Sequence, residues 1–139
     1  MAREISRIPI GGNMKYLCLA YEEEAKLNNL SGEEWDLLRR ETLAYVQNLK
    51  DRGQLVSAEA LQSAQTATTV RVRAGKLSLT DGPFAETKEQ LGGFFLINAR
   101  DLNEALQVAS RWPSARLGSI EVRPIDEELR EDARYVRFR

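Results

Sequence analysis

The sequence predicts an α+β domain, with two amphipathic helices covering one face of an antiparallel sheet. Three observations carry this expectation. Apolar runs of strand length alternate with segments whose apolar residues recur every three or four positions. Glycine and proline stand at the boundaries between them. With one hairpin set aside, the element order is strand, helix, strand, strand, helix, strand.

MKYLCLAY, residues 14 to 21, carries aromatic and aliphatic residues on both faces, as a central strand does. Glu22, Glu23 and Glu24 end it. Ser31 followed by Glu34 forms a capping box, and Trp35, Leu38, Thr42, Tyr45, Val46 and Leu49 then recur at helical steps. The helix spans 31 to 52, with Gly53 as its stop. LVSAEAL, 55 to 61, reads as a short strand. Residues 68 to 73 and 76 to 80 read as a hairpin closed by Ala74-Gly75, with Val70, Val72, Leu77 and Leu79 on one face. GGFFLINA, 92 to 99, is an apolar strand. Asp101 and Glu104 signal a second capping box, opening a helix with Leu102, Ala105, Leu106, Ala109 and Trp112 inward and Pro113 at its end. SIEVRP closes the core.

That order is the split βαβ arrangement of a ferredoxin-like fold with an inserted β-hairpin. Two helices cover one sheet face, yet strands 14–21 and 92–99 are apolar on both. A second copy of the chain is therefore expected on the other face, with closure by the hairpin as the competing cover. Residues 1–13 are expected to be an N-terminal extension, 14–124 the domain, and 125–139 a charged tail of helical character, with Tyr135 and Phe138 touching the domain or its partner.

The 139 residues suffice for one domain with its own core. A net charge of -1 gives no field favouring nucleic acid or an anionic membrane. One cysteine, Cys18, excludes an intrachain disulfide and a thiolate metal cluster. The chain has no histidine, which excludes a histidine-based triad and a histidine-ligated metal. No apolar run reaches the roughly 18 residues of a membrane span, so a cytoplasmic protein is expected. No glycine-rich phosphate loop or calcium loop occurs, and no cofactor is expected.

The segment TDGPFAETKEQLGG, 80 to 93, joins two strands with unusual polarity. Asp81, Gly82 and Pro83 explain themselves as a turn, and Phe84 as a lid on the core. Glu86, Thr87, Lys88 and Glu89 stand at the entrance of a buried strand, where they could rim a pocket. Glu59 is an acid inside a strand. Buried, it would need a partner or a raised pKa and could serve as an acid or base; on an edge strand it would simply be solvated. Tyr21 could present its hydroxyl beside Glu59. Arg123 could pair with Asp81, Glu59 or an anionic ligand, or close an internal salt bridge. Three functions follow: a dimeric small-ligand-binding or regulatory module framed by Tyr21, Glu59, Asp81, Phe84, Lys88 and Arg123; a histidine-independent enzyme using Glu59 or Asp81 as acid/base, with Lys88 or Arg123 stabilising negative charge; or a structural, protein-interaction dimer.

MKYLCLAY, AEAL, the TTVRVR hairpin, TDGPFAETKEQLGGFFLI, the DLNEAL helix and IEVRP together resemble the YCII-related family, in particular its DGPF-domain branch, over residues 14 to 124. The resemblance implies a ferredoxin-like subunit in a dimeric α/β barrel, a homodimer. It also implies either an enzyme built on a histidine–aspartate pair or a regulatory partner such as a sigma factor. The chain departs from that pair. Arg116-Leu117-Gly118 occupies the stretch where the branch often carries histidine, so Asp81 would lack its imidazole.

Overall fold

The computed structural model describes residues 13–127, so the sequence-predicted extension and nearly all of the predicted helical tail, with Tyr135 and Phe138, lie outside the described residues. The chain runs β1 (Met14–Glu22), α1 (Glu24–Asn28), α2 (Gly32–Asp51), β2 (Leu55–Ala60), β3 (Thr68–Arg73), β4 (Lys76–Asp81), β5 (Gln90–Ala99), α3 (Leu102–Ser110) and β6 (Gly118–Pro124). Short 3-10 turns at Ala64–Thr66 and Pro113–Arg116 complete it. The fold is mixed α+β with two sheets: four antiparallel strands in the order β2-β5-β1-β6, and the separate hairpin β3-β4.

Strand alternation assigns the two faces. Tyr16, Cys18 and Ala20 of β1 and Phe95, Ile97 and Ala99 of β5 point to one side, where Leu49 of α2 and Ala105, Val108 and Ala109 of α3 complete a buried core. Trp112 lies flat on Phe95, ring centroids 3.9 Å apart, and meets Tyr45 edge-on at 6.1 Å. The Tyr45 hydroxyl crosses the core to donate to the Val108 carbonyl at 2.7 Å. Because Phe95, Leu49, Ile97 and Cys18 are wholly buried, truncating Phe95 would cost about 3–5 kcal/mol through lost burial and the cavity left behind.

Helix α2 begins as its sequence dictates. Ser31 accepts from the Glu34 amide while the Glu34 carboxylate accepts from the Ser31 amide. The box at α3 is only half formed: Asp101 accepts from the Glu104 amide, but Glu104 turns back to the amide and guanidinium of Arg100. Helix α3 ends at Ser110, and Pro113 starts a 3-10 turn because a proline needs no amide bond at a first helical position.

The dimeric α/β barrel expected from the sequence for the ferredoxin-like split βαβ order is corrected, because the sheets are not closed into a barrel. Among the described residues the four-stranded sheet is open, with β2 and β6 each paired on one side only, and the hairpin forms its own sheet instead of extending a wall. Closure would require the two edge strands to meet through a continuous stagger. Here β5 and β1 lie between them, and among the described residues no strand bridges the gap. Apolar residues on both faces report that a face needs covering; they do not specify closure.

Candidate functional site

The side chains that frame a cleft come together where β1 and β5 end. Opposite Ala20 and Tyr21 the register shifts: Ala20 pairs with Gly93 and Tyr21 with Leu91, so Gly92 is an extra residue in β5. A bulge of this kind bends the strand and re-aims its neighbours. A β-carbon on Gly92 would lie 2.6 Å from a carboxylate oxygen of Glu22, so the glycine makes room for that side chain. Glu22 shares the helix-side face with Tyr16, Cys18 and Ala20, and its carboxylate lies over the bulge.

The walls are pinned independently. Glu24, at the start of α1, accepts from the Ala64 amide at 2.9 Å and the Ser63 hydroxyl at 3.2 Å, tying α1 to the turn after β2. The Leu61 amide donates to the Gly92 carbonyl at 2.8 Å. Trp35, in the first turn of α2, is 47% exposed and supplies an aromatic wall. The resulting cleft holds about 390 Å³, within the range of small-molecule sites, and is also lined by Leu27, Asn28, Gln62, Gln65, Gln90 and Leu91. Among the described residues no arginine or lysine lines it.

Glu22 sets its electrostatics. Burial, with a smaller contribution from the charge of Glu24, pushes its carboxyl above the ordinary carboxylate range. Among the described residues no hydrogen bond or ion pair reaches this carboxylate. A half-buried acid without a partner costs stability in its charged form.

The six sequence-predicted residues lie elsewhere. Tyr21 and Arg123 meet on the sheet face turned away from the helices, through a residue the sequence reading did not single out. The Tyr21 hydroxyl donates to Glu121 at 3.4 Å, and Arg123 pairs with the same carboxylate. The Arg123 hydrogen bond holds the Glu121 carboxyl below its usual range and raises the guanidinium above its own. Arg123 thus closes an internal salt bridge. Glu59 is exposed on edge strand β2, in the same row as Phe94, Leu19 and Glu121. Asp81 is exposed at the end of β4, opposite Thr68. Phe84 is 80% exposed and carries Arg71 over its ring at 5.8 Å, and Lys88 is exposed.

The 82–90 segment is held by its own backbone. Gly82 takes a left-handed φ of 109° and donates to the Ala67 carbonyl, while the Gln90 side chain donates to the carbonyls of Ala85 and Thr87. Gln90 at its end, with the following Leu91 and Gly92, lines the cleft. The missed residues, Glu22, Glu24 and Trp35, left two traces in the sequence: an acidic run between a strand and a helix, and paired glycines inside a strand, which mark a bulge.

Cys18 is buried, and among the described residues no cluster of three or more cysteines and acids could hold a metal ion. None of the described helices is long and apolar enough to cross a membrane. The YCII-related domain matches residues 14–128, most of the chain. The chain belongs to the YCII-related domain family. An uncharacterised protein of Rhizobium meliloti strain 1021 is 40% identical to this YCII-related chain over 114 residues, covering 81% of it and 92% of the relative. At the stretch without histidine, Arg116 makes a two-pronged bond with Glu41, both contacts at 3.1 Å, and so fastens the turn before β6 to α2.

Proposed function

We propose that this YCII-related domain is a small-ligand-binding module whose site is the cleft over Gly92, taking a compact amine with an apolar tail. The observation that carries the reading is the half-buried Glu22 carboxylate, which has its pKa raised and, among the described residues, has neither a partner nor a basic residue in the cleft lining. An ammonium group would supply the missing partner and draw the carboxyl back toward its charged form. Trp35, Leu27, Leu61 and Leu91 would take the apolar part, and the Trp35 ring face also attracts cations. Among the described residues a phosphate or carboxylate ligand would meet two acids and no cation.

A thermal-shift panel of small primary amines with aryl or alkyl tails, each matched to the carboxylate of the same skeleton, tests this. Saturable stabilisation by amines and none by their matched acids is expected, with the effect lost in Glu22→Gln. Equal shifts from both series, or none from the amines, would remove the reading.

A further inference from the structure

A second cleft lies at the other end of the sheet, where β1 begins and β5 finishes. It holds about 460 Å³ and is lined by Asn13, Arg52, Gln54, Asn98, Arg100 and Glu104, with Gly53 among them. Asn13, Asn98 and Arg100 flank the Met14–Ala99 pair, whereas Glu22 pairs with Gln90 at the opposite end of the same ladder. Gly53, at φ 70°, turns the chain from α2 into β2, and Arg100 leads from β5 into α3. The ends of α2 and β5 therefore meet the starts of β1, β2 and α3 here. Among the described residues every side chain of the lining is polar: three amides, two guanidiniums and one carboxylate. The amides of Arg52, Gly53 and Gln54 donate to the carbonyls of Asn48, Lys50 and Leu49, so those acceptors at the end of α2 are already bonded.

The charges in this lining do not cancel. Glu104 is committed to the wall: it accepts from the Arg100 amide at 3.0 Å and the Gln54 side chain at 3.4 Å, and pairs with Nε of Arg100 at 2.9 Å. Arg100 keeps its two terminal nitrogens uncommitted among the described residues. Arg52 donates to the neutral Asn48 side chain at 3.2 Å and has no ion pair among the described residues. Two guanidiniums against one carboxylate leave a net positive lining, the reverse of the Glu22 cleft. The neighbouring acids Asp51 and Asp101 stand outside it. We propose that this second cleft binds a small hydroxylated anion, its carboxylate or phosphate between Arg52 and Arg100 and its hydroxyls on the amides of Asn13, Gln54 and Asn98. Guanidinium N–H groups match the paired oxygens of either head group, and side-chain amides both donate to and accept from hydroxyls. Gln54 adds an independent reason. Its Oε1 is buried with no donor in reach among the described residues, a costly state for an acceptor, and a turn of the amide would offer it to a ligand hydroxyl. An apolar tail would find no apolar side chain in the described lining.

Calorimetric titration of the full chain with glycerate and with glycerol 3-phosphate tests this, beside propanoate and propyl phosphate, which lack the hydroxyls, and glycerol, which lacks the charge. Saturable binding of at least one hydroxylated anion is expected, with a Kd of about 1 mM or tighter. Its matched control and glycerol should bind at least about tenfold more weakly. Preference for glycerate assigns the carboxylate as the head group, and preference for glycerol 3-phosphate assigns the phosphate. Arg52→Gln removes an exposed cation, and Asn13→Asp sets a second carboxylate in the lining. Each should weaken binding about tenfold or more while circular dichroism stays native. Two variants at separate places in the chain keep the test decisive if one of them fails to fold. No saturable binding of either hydroxylated anion, equal binding of the controls, or unchanged affinity in both folded variants would overturn the proposal. So would affinity lost in Glu22→Gln and kept in Arg52→Gln, which would put the anion in the other cleft.

Discussion

Cys18 and Glu22 stand four residues apart on the same face of β1, and burial raises the pKa of both. For Cys18 the thiol is pushed up to about 12 by burial alone, so it carries essentially no thiolate near neutrality. Native protein at about pH 8 should leave a disulfide reagent unreacted, and denaturant should release one thiol per chain; rapid reaction in the native state would mean the core opens there. For Glu22 the sign runs against stability. A carboxyl whose folded pKa is raised binds its proton more tightly in the native state, so stability falls as pH rises from the unfolded value through the folded one. Glu22→Gln should therefore stabilise the protein at about pH 7, with the gain disappearing at about pH 3.5, where both states are protonated. Urea unfolding at the two pH values measures this. Glu59, by contrast, looked odd in the sequence because an acid interrupts a strand, and an edge position answers it. Single residues declared their chemistry in the sequence; their faces depended on registers that spacing alone does not give.

The regular elements were legible because their signals are local. Ser31 and Glu34 start α2, Gly53 follows its end, and alternating residues set both hairpin strands. The five-residue helix α1 was not legible, since Glu24–Asn28 is too short to show a period. Bulges were hidden for a related reason: a shift between partners belongs to two strands, not one. Gly118 and Ala74 test the backbone at this scale. A β-carbon on Gly118 would collide with the Tyr21 carbonyl across the β1–β6 pair, and a backbone atom in a sheet cannot step aside. Gly118→Ala should cost about 3 kcal/mol or more in denaturant unfolding, and a cost below about 0.5 kcal/mol would show that β6 is not held so closely. Ala74 takes φ 51°, a region that asparagine tolerates better. Ala74→Asn should raise stability by about 0.5 kcal/mol, read as a higher denaturant midpoint with an unchanged slope.

At the scale of the whole molecule, the fold separates its two surfaces. Both long helices and the Glu22 cleft lie on one side of the sheet, while the Tyr21–Glu121–Arg123 group and the apolar row beside it lie on the other. The candidates read from the sequence were Asp81, Phe84 and Lys88 of the polar 80–93 segment and Tyr21, Glu59 and Arg123 of the strands, because ionisable groups within or between strands attract notice. The cleft instead depends on a glycine's missing side chain, a feature visible only once β1 and β5 are paired. The most direct measurement of the cleft is a titration of Trp35 emission with the amine giving the largest thermal shift, in wild type, Glu22→Gln and Gly92→Ala. A saturable change is expected in wild type, weakening at least about tenfold in Glu22→Gln, which removes the charge, and in Gly92→Ala, which displaces the carboxylate. Equal affinity in all three proteins would contradict it.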